Sequence, residues 1–470
     1  MPISVENLPD QSLAIYDDSR LIRLWRNWLP VAGTVPLDKW LRHNLRELAS
    51  SPVVTQATTT KKSKPYAQLS LSDQADLSQA MNNALRFQQL ACALEFFYQA
   101  FCRTNDRPDI DWLEWDEHWQ VRDVNALSPT AFWYWIQLRL GGDQPRQNQA
   151  QLRDAQERRD FLKNLLDDNY FSQTHTHFLW IGLRPQWVAL IAERKNVSQW
   201  SDEHTHLFLQ QQTTTPPLWL RVQKNESLAG ICAHLSAQGV NATLDAQQGI
   251  YVRGGAGVNS TDEYKSGLIE IQDLASQLIA QAIDVKPGQK VWDTCAGAGG
   301  KTLAIAARMN NKGALIATDL HEYKLEELKR RVKRAGAFNV RTFSWNGEAP
   351  LRLPKEIAQQ QGFDWVLIDA PCSSSGTWRR NPDARWRFDE ADTQELIHLQ
   401  RKILLNAAPA VRKGGSLVYA TCSWQVSENE QQVNWFLQQH PQFELQYQRI
   451  LGAPELDADT MFVAVVKRKD

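Results

Sequence analysis

The second half of the chain alternates short apolar segments with longer amphipathic ones, and this alternation is the strongest constraint on its fold. Strands are predicted at residues 290–292, 314–318, 340–343, 365–368, 416–420 and 462–466, with helices between most of them. Such alternation is typical of a parallel, doubly wound α/β sheet with helices on both faces. Ligands of these sheets bind beyond the carboxyl ends of the strands, so chemistry is expected there.

The rest of the chain predicts two further domains. Apolar residues recur at helical spacing through residues 1–160, which indicates an all-helical N-terminal domain with a long helix over 72–104 and a Thr- and Lys-rich loop over 55–64. Residues 161–258 contain short strands around one amphipathic helix and predict a small α+β domain. Residues 259–470 then form the α/β domain, beginning with a helix predicted over 271–283.

Composition excludes several classes of protein. The chain is 43% hydrophobic and 22% charged, carries a net charge of −1, and contains six cysteines without a Cys-x-x-Cys pair. It has no long apolar run and no signal-peptide pattern, so we expect a reduced, cytoplasmic monomer with no membrane segment and no metal. Nucleic-acid binding would have to depend on local patches. Most of the 19 tryptophans are expected in the core.

A turn rich in small residues, Asp-Thr-Cys-Ala-Gly-Ala-Gly-Gly-Lys-Thr at 293–302, follows the first strand of the α/β domain and begins a helix. Small residues let the backbone approach a ligand closely. A phosphate loop would need glycine where Cys295 stands, and a dinucleotide turn would need glycine where Thr302 stands. Asp293 before the turn and Asp319 after the next strand favour S-adenosylmethionine, because a carboxylate accepts hydrogen bonds from ribose hydroxyls.

Two cysteines follow strands whose carboxyl ends should meet at the same edge of the sheet. One lies in Asp-Ala-Pro-Cys-Ser (369–373) and the other in Thr-Cys-Ser (421–423), after which Ser427 and Glu430 predict a capping box. Addition of a thiolate to carbon-6 of cytosine makes carbon-5 nucleophilic enough to take a methyl group. An acid at ring nitrogen-3 assists the addition, and a base then removes the carbon-5 proton. Two thiols and one aspartate would supply these tasks.

These motifs, in this order, resemble the Sun/RsmB family of RNA cytosine-5 methyltransferases over about residues 160–467. Further segments that resemble the family are 215–222, 269–277, 379–383 and 414–415. The resemblance implies a Rossmann-like class I methyltransferase domain, S-adenosylmethionine as cofactor and an RNA substrate, with 16S rRNA ahead of tRNA. The first 160 residues resemble, weakly, the NusB-like helical domain of some bacterial members.

The resemblance also assigns roles to residues. It makes Cys422 the nucleophile, Cys372 the proton-abstracting thiol, Asp369 the acid at the cytosine and Lys301 a lysine that approaches the active site. The residues it places at the cofactor are Asp293, Cys295, Ala296, Gly297, Ala298, Gly299, Gly300, Lys301, Asp319, Asn346 and Asp369. Asn346 stands where the family usually has an aspartate for the adenine amino group. The RNA contacts expected are Arg221, Arg379 and Arg380, with Trp378 and Trp386 as aromatic neighbours.

Three alternatives remain open at this point. A DNA cytosine-5 methyltransferase would use the Pro-Cys cysteine, Cys372, as nucleophile, but the Thr-Cys-Ser cysteine and the lack of Glu-Asn-Val after Pro-Cys argue against it. A tRNA methyltransferase would use the same chemistry as an rRNA enzyme. A non-catalytic RNA-binding or ribosome-assembly factor would not need Cys372, Cys422, Asp369 and Lys301 all intact.

Overall fold

The computed structural model describes residues 14–50, 69–142, 152–223, 226–245, 249–254 and 257–470. The chain divides into two compact units. One contains the residues up to Ala192 together with Asn381–Arg387, and the other contains Glu193–Arg380 and Phe388–Asp470. The loop predicted over 55–64 lies outside the described residues.

The first unit is helical, as the sequence predicts. Its helices are α1 (Ser19–Trp28), α2 (Leu37–Ser50), α3 (Leu71–Thr104), α4 (Trp112–His118), α5 (Pro129–Arg139), α6 (Ala155–Asp167), α7 (Thr174–Trp180) and the first part of α8 (Val188–Ser198). Every residue of α3 from 83 to 94 is buried, because α1, α5 and α7 pack around it. Trp25 stacks on Phe132 with ring centroids 4.8 Å apart, which illustrates the expected core role of the tryptophans.

The first part of the second unit contains a small antiparallel sheet with the strand order β2-β3-β1-β4. Its elements are the rest of α8, α9 (Asp202–Gln211), β1 (Leu218–Val222), α10 (Leu228–Ala237), β2 (Ala242–Asp245), β3 (Gly249–Val252), α11 (Asp262–Lys265) and β4 (Ile269–Ile271). Helices thus continue past the domain limit predicted at 160, and the sheet continues past the limit predicted at 258. Strand β4 has only three residues, too few for alternation to be recognised, yet it pairs with β1.

A seven-stranded sheet in the order β10-β11-β9-β8-β5-β6-β7 forms the centre of the second unit. Its elements are α12 (Leu274–Ala282), β5 (Lys290–Asp293), α13 (Gly300–Met309), β6 (Ala314–Asp319), α14 (Glu322–Ala335), β7 (Val340–Ser344), α15 (Lys355–Gln359), β8 (Phe363–Asp369), α16 (Glu390–Ala407), β9 (Val411–Thr421), α17 (Glu430–Gln439), β10 (Phe443–Leu451) and β11 (Met461–Arg468). Strands β9, β8, β5, β6 and β7, which are neighbours in that order, run parallel. All six residues of β6 are buried.

Five strands are parallel, as predicted, and two antiparallel strands make the sheet mixed. Strand β11 runs antiparallel to β9, and β10 runs antiparallel to β11. The sequence did not indicate β10, because an edge strand buries little: only Phe443 and Leu451 at its two ends are buried. Among the described helices, none combines the length and apolarity needed to cross a membrane.

Gly299 and Gly300, adjacent at the start of α13, give a matched test of the turn that precedes the helix. Gly299 has φ of 88°, and a Cβ there would lie 2.0 Å from Leu328 Cδ1, whereas a Cβ on Gly300 would meet only the Gln272 side chain at 3.6 Å. Left-handed strain and overpacking should make Gly299→Ala lower the free energy of unfolding by about 2–5 kcal/mol. Gly300→Ala should change it by less than about 1 kcal/mol. Urea denaturation measures both, and equal losses would contradict the structure of this turn.

Candidate active site

The carboxyl ends of β5, β6, β8 and β9 meet at one edge of the large sheet, as expected from parallel pairing. Asp293 ends β5, Asp319 ends β6 and Asp369 ends β8, and Cys422 comes directly after β9. In the β8–β9 pair, Asp369 is in register with Ala420. The acids and thiols named from the sequence are therefore brought to the same edge.

Hydrogen bonds from residues outside the turn over 293–302 fix the conformation of its backbone. Asp319 accepts from the backbone N–H of Gly297 at 2.9 Å and from that of His321 at 2.8 Å. Arg331 Nη1 donates to the Ala298 carbonyl at 2.7 Å. Gly297 has φ of 55°, and a Cβ built there meets nothing within 4 Å, so space for a ligand lies against this backbone.

Burial raises the pKa of two side chains of this turn. Burial raises the pKa of Asp293 to about 7, although Thr302 Oγ1 donates to its Oδ2 at 2.7 Å. Its other oxygen, Oδ1, has no hydrogen-bond partner among the described residues. Burial likewise raises the pKa of the Cys295 thiol to about 12, so this cysteine is a neutral thiol beneath the turn.

Asn346 lies two residues beyond β7. It is exposed, and its amide oxygen accepts from the backbone N–H of Glu348 at 3.1 Å. The preceding residue, Trp345, donates its backbone N–H to the Asp319 carbonyl at 3.2 Å. The chain at Asn346 is thereby tied to the end of β6, where Asp319 stands.

Cys372 and Cys422 are in direct contact, with their sulfur atoms 3.3 Å apart. The Cys422 thiol is also 3.4 Å from Ser374 Oγ, and Ser374 adopts the left-handed conformation with φ of 57°. The hydrogen bond between the two thiols lowers the pKa of Cys422 and raises that of Cys372 well above its ordinary value. Of the two sulfurs, Cys422 is therefore the one that ionises first.

Lys301 and Asp369 form an ion pair beside the thiols, with Nζ 2.7 Å from Oδ2. Burial acts to lower the pKa of Lys301, but the Asp369 carboxylate outweighs burial and holds this pKa above its ordinary value. Lys301 is thus a permanent cation at the site, and its charge favours a thiolate on Cys422.

Three residues that the sequence analysis missed hold the cysteine loops in place. Glu428 accepts from the backbone N–H of Ser373 at 2.8 Å and from its hydroxyl at 2.5 Å. Asn429 accepts from Thr421 Oγ1 at 2.6 Å and donates to the Ser423 carbonyl at 2.9 Å. Both are buried polar residues, and the third residue, Ser374, contacts Cys422.

The signal for these residues was the Glu-Asn-Glu sequence at 428–430, which follows the second cysteine motif. The capping box predicted from Ser427 and Glu430 is wrong. Helix α17 begins at Glu430 with Asn429 as its N-cap, and Ser427 lies in the short turn before it. The Glu430 carboxylate pairs with Arg194 at 2.7 Å and 2.8 Å instead of capping the helix.

The arginines predicted to contact RNA are held by groups of the protein itself. Arg379 is 1% exposed and donates to the carbonyls of Gln211 at 2.8 Å and Ala458 at 3.0 Å. Arg221 is buried and donates to Gln272 Oε1 at 2.6 Å. Arg380 pairs with Asp273 at 3.1 Å and with Asp459 at 3.3 Å. Their guanidinium groups bind other loops of the second unit, so these three arginines do not form an RNA-binding surface.

The aromatic neighbours of these arginines are also engaged inside the protein. Trp378 is fully buried, and its ring meets Trp424 edge-on at 5.7 Å. The indole N–H of Trp386, in the segment that belongs to the first unit, donates to the Leu85 carbonyl at 2.6 Å. Within the part of the chain that the structure describes, no three His, Cys, Asp or Glu residues gather into a metal site.

The strand order and the turn after β5 define the Rossmann-like class I methyltransferase fold. A methyltransferase homologue from Pyrococcus horikoshii has this fold, with a TM-score of 0.51 and 25% identity over 63% of this chain and 98% of that one. Residues 280–464 match the family model described as 16S rRNA methyltransferase RsmB/F.

Two curated relatives extend the similarity beyond this segment. The probable ribosomal RNA small subunit methyltransferase B of Bacillus subtilis is 32% identical over 55% of this chain and 57% of its own length. Ribosomal RNA small subunit methyltransferase B of Yersinia pseudotuberculosis is 30% identical over 61% of this chain and 67% of its own length. This chain belongs to the RsmB/F family, as its motifs indicated. The match spans little more than half of the Bacillus subtilis relative.

The pKa of Asp293 predicts how stability depends on pH. Because this pKa is raised to about 7 in the folded protein, Asp293 keeps its proton on folding and loses it on unfolding between about pH 4 and 7. Its contribution to stability is therefore present at low pH and is lost as the pH rises through 7. Asp293→Asn should remove this component, which amounts to at most about 1.4 kcal/mol per pH unit.

Denaturation of both proteins between pH 4 and 8 measures the difference. The exposed Asp284 is the control, because Lys286 lowers its pKa and Asp284→Asn should leave the Asp293 component in place. If Asp293→Asn loses as much stability as the unmodified protein between pH 4 and 7, Asp293 is ionised in the folded state and the assignment fails.

Proposed function

We propose that this protein transfers a methyl group from S-adenosylmethionine to carbon-5 of a cytosine in 16S rRNA, through a covalent adduct with Cys422. The observation that carries the proposal is the 3.3 Å contact between Cys372 and Cys422, beside the Lys301–Asp369 ion pair. This mechanism needs a nucleophile, a base and an acid that lie close enough together to contact the same cytosine ring. The two loops bring groups of those types together at the edge that also carries the small-residue turn.

The residues of the turn fit S-adenosylmethionine, which when bound supplies an electrophilic methyl group on a positively charged sulfur. Open space lies against the Gly297 backbone, where a side chain would otherwise stand. The Asp319 carboxylate accepts two backbone hydrogen bonds and retains lone pairs for ribose hydroxyls. Oδ1 of Asp293, which has no hydrogen-bond partner among the described residues, gives the site a further buried polar atom.

The hydrogen bond between the two thiols favours Cys422 over Cys372 as the nucleophile. Cys422, whose pKa is lowered, attacks carbon-6 as the thiolate, while the Lys301–Asp369 pair donates a proton to ring nitrogen-3 through Asp369 and recovers it when the ring is restored. The new carbon–sulfur bond directs an electron pair to carbon-5, which then takes the methyl group. Loss of the carbon-5 proton to Cys372 expels the Cys422 sulfur and restores the ring.

The same contact supports an order for the two thiol steps. The largest cause of the raised pKa of Cys372 is its hydrogen bond with Cys422. Once Cys422 has become a thioether, its negative charge is gone and this cause disappears. Cys372 is then easier to deprotonate than in the free site, although burial and the Glu428 carboxylate still raise its pKa, so it serves as the base after the addition and not before it.

Support for ribosomal RNA comes from the relatives, both of which are named as ribosomal RNA small subunit methyltransferases. A tRNA substrate, the DNA-type use of Cys372 as nucleophile, and a non-catalytic role are the outcomes that the assay must separate. The assay incubates the full chain with S-adenosylmethionine and either 16S rRNA or tRNA, and bisulfite sequencing locates any 5-methylcytosine.

The two cysteines should give opposite mutant phenotypes. Cys422→Ala removes the nucleophile and should lower turnover by on the order of a million-fold, with no covalent adduct. Cys372→Ala leaves addition and methyl transfer possible but blocks release, so a protein–RNA band that survives denaturation should accumulate. An adduct in Cys422→Ala and none in Cys372→Ala would identify Cys372 as the nucleophile. Undiminished methylation in both variants would contradict the thiol mechanism.

Asp319 should contribute to cofactor affinity. Asp319→Ala removes a charged acceptor and should weaken binding of S-adenosylmethionine by about 1.5–3 kcal/mol in isothermal titration calorimetry. The control is Glu326→Ala on the exposed face of α14, where the carboxylate pairs only with Lys329 at 2.6 Å among the described residues. Equal affinities for the Asp319 variant and the control would remove Asp319 from the cofactor site.

A further inference from the structure

Glu428 is a fully buried carboxylate that the mechanism above does not use. Its hydrogen-bond partners are neutral donors: the backbone N–H and hydroxyl of Ser373, Gln400 Nε2 at 3.1 Å and Gln425 Nε2 at 3.4 Å. A carboxylate in the interior is costly unless its lone pairs are satisfied, and here several donors converge on it. An apolar residue at this position could not accept these hydrogen bonds, so the carboxylate itself is required to hold the donors in place.

These donors fix the chain on both sides of Cys372. On the following side, Ser373 binds Glu428 directly, at 2.8 Å through its N–H and 2.5 Å through its hydroxyl. On the preceding side, Gln400 donates to the Pro371 carbonyl at 3.0 Å while it also donates to Glu428 at 3.1 Å. Glu428 is thus the common anchor of the residues immediately before and after Cys372.

The segment after Cys422 is tied to the same anchor. Gln425 Nε2 donates to Ser373 Oγ at 2.8 Å, and Ser373 Oγ lies 3.3 Å from Ser423 Oγ. One carboxylate therefore sets the spacing of the two cysteine loops, and with it the 3.3 Å distance between the sulfur atoms.

We propose that Glu428 is a positioning residue for the release step, because it holds the Cys372 thiol where it accepts the carbon-5 proton. The inference rests on the proposed function. Addition by Cys422 depends less on this anchor, since Asn429 and the Arg194–Glu430 pair hold the Cys422 segment independently. Displacing the Cys372 loop should therefore slow release more than addition or methyl transfer.

Glu428→Gln and Glu430→Gln form a matched pair of variants. Both replace a buried glutamate of the same segment by its amide, but Glu430 faces Arg194, whose Nε donates to the Trp424 carbonyl at 2.6 Å, and not the Cys372 loop. A glutamine at 428 would present an NH₂ group to donors that need acceptors. We expect turnover to fall about 10- to 100-fold, as for a misplaced catalytic group.

The readout is a single-turnover assay of the full chain with 16S rRNA and S-adenosylmethionine, which follows methyl transfer and the denaturation-resistant adduct separately. Glu428→Gln should accumulate the adduct as Cys372→Ala does, with methyl transfer slowed less than about threefold, roughly 0.7 kcal/mol. Glu430→Gln should lose stability without accumulating adduct. Ser373→Ala, which removes the hydroxyl donor but keeps the N–H, should show a smaller accumulation and covers the case in which Glu428→Gln does not fold.

Four outcomes overturn the inference. Glu428→Gln and Glu430→Gln could behave alike, or Glu428→Gln could lose methyl transfer together with release, which would give Glu428 a merely structural role. If only Ser373→Ala folds and no adduct accumulates, Glu428 does not act through Ser373. A Cys372→Ala variant without adduct places the failure in the proposed function itself, and the inference falls with it.

Discussion

The pairing of β8 with β9 is the constraint on which the candidate active site depends. Asp369 is in register with Ala420, and the Ala370 N–H donates to the Ala420 carbonyl at 2.8 Å, so the two cysteine loops leave the sheet side by side. A shift of one residue would turn every side chain of a strand to the other face. Because Val366 and Leu417 are buried in the same core, such a shift is costly, and apolar packing thereby fixes the register at which the two cysteine loops leave the sheet.

Beyond the strand ends, apolar packing no longer positions the chain, and buried polar groups take over. Glu428, Asn429 and Glu430 are consecutive, yet each holds a different partner: Ser373 of the Cys372 loop, Ser423 after Cys422, and Arg194 of α8. A buried charge is tolerated only when its hydrogen bonds are satisfied. Because three consecutive residues bind three different segments, this short part of the chain fixes the positions of the two cysteine loops.

The central strands were predictable because burial on both faces leaves continuous apolar runs, and the site followed from the motifs at their carboxyl ends. Edge strand β10 and three-residue strand β4 leave no such pattern. Arginine exposure was not predictable either: Arg379 reads as a surface cation, but its partner Asp457 lies far along the chain. Which arginines face solvent is decided by tertiary contacts, whereas local sequence reports only their charge. Glu428 was missed for the same reason.

Two chemically identical thiols acquire different pKa values because a single hydrogen bond joins them. That hydrogen bond lowers the pKa of Cys422 and raises that of Cys372, so Cys422 is the thiol that ionises more readily. Asp369 neutralises Lys301 within an ion pair, so a thiolate formed on Cys422 is the uncompensated charge of these four side chains. A sulfonium bound beside them, as proposed, would be stabilised by that negative charge, because opposite charges attract strongly where water is excluded. This attraction would end when the thiolate adds to the substrate and its charge is lost, so it would favour binding of the cofactor ahead of the addition.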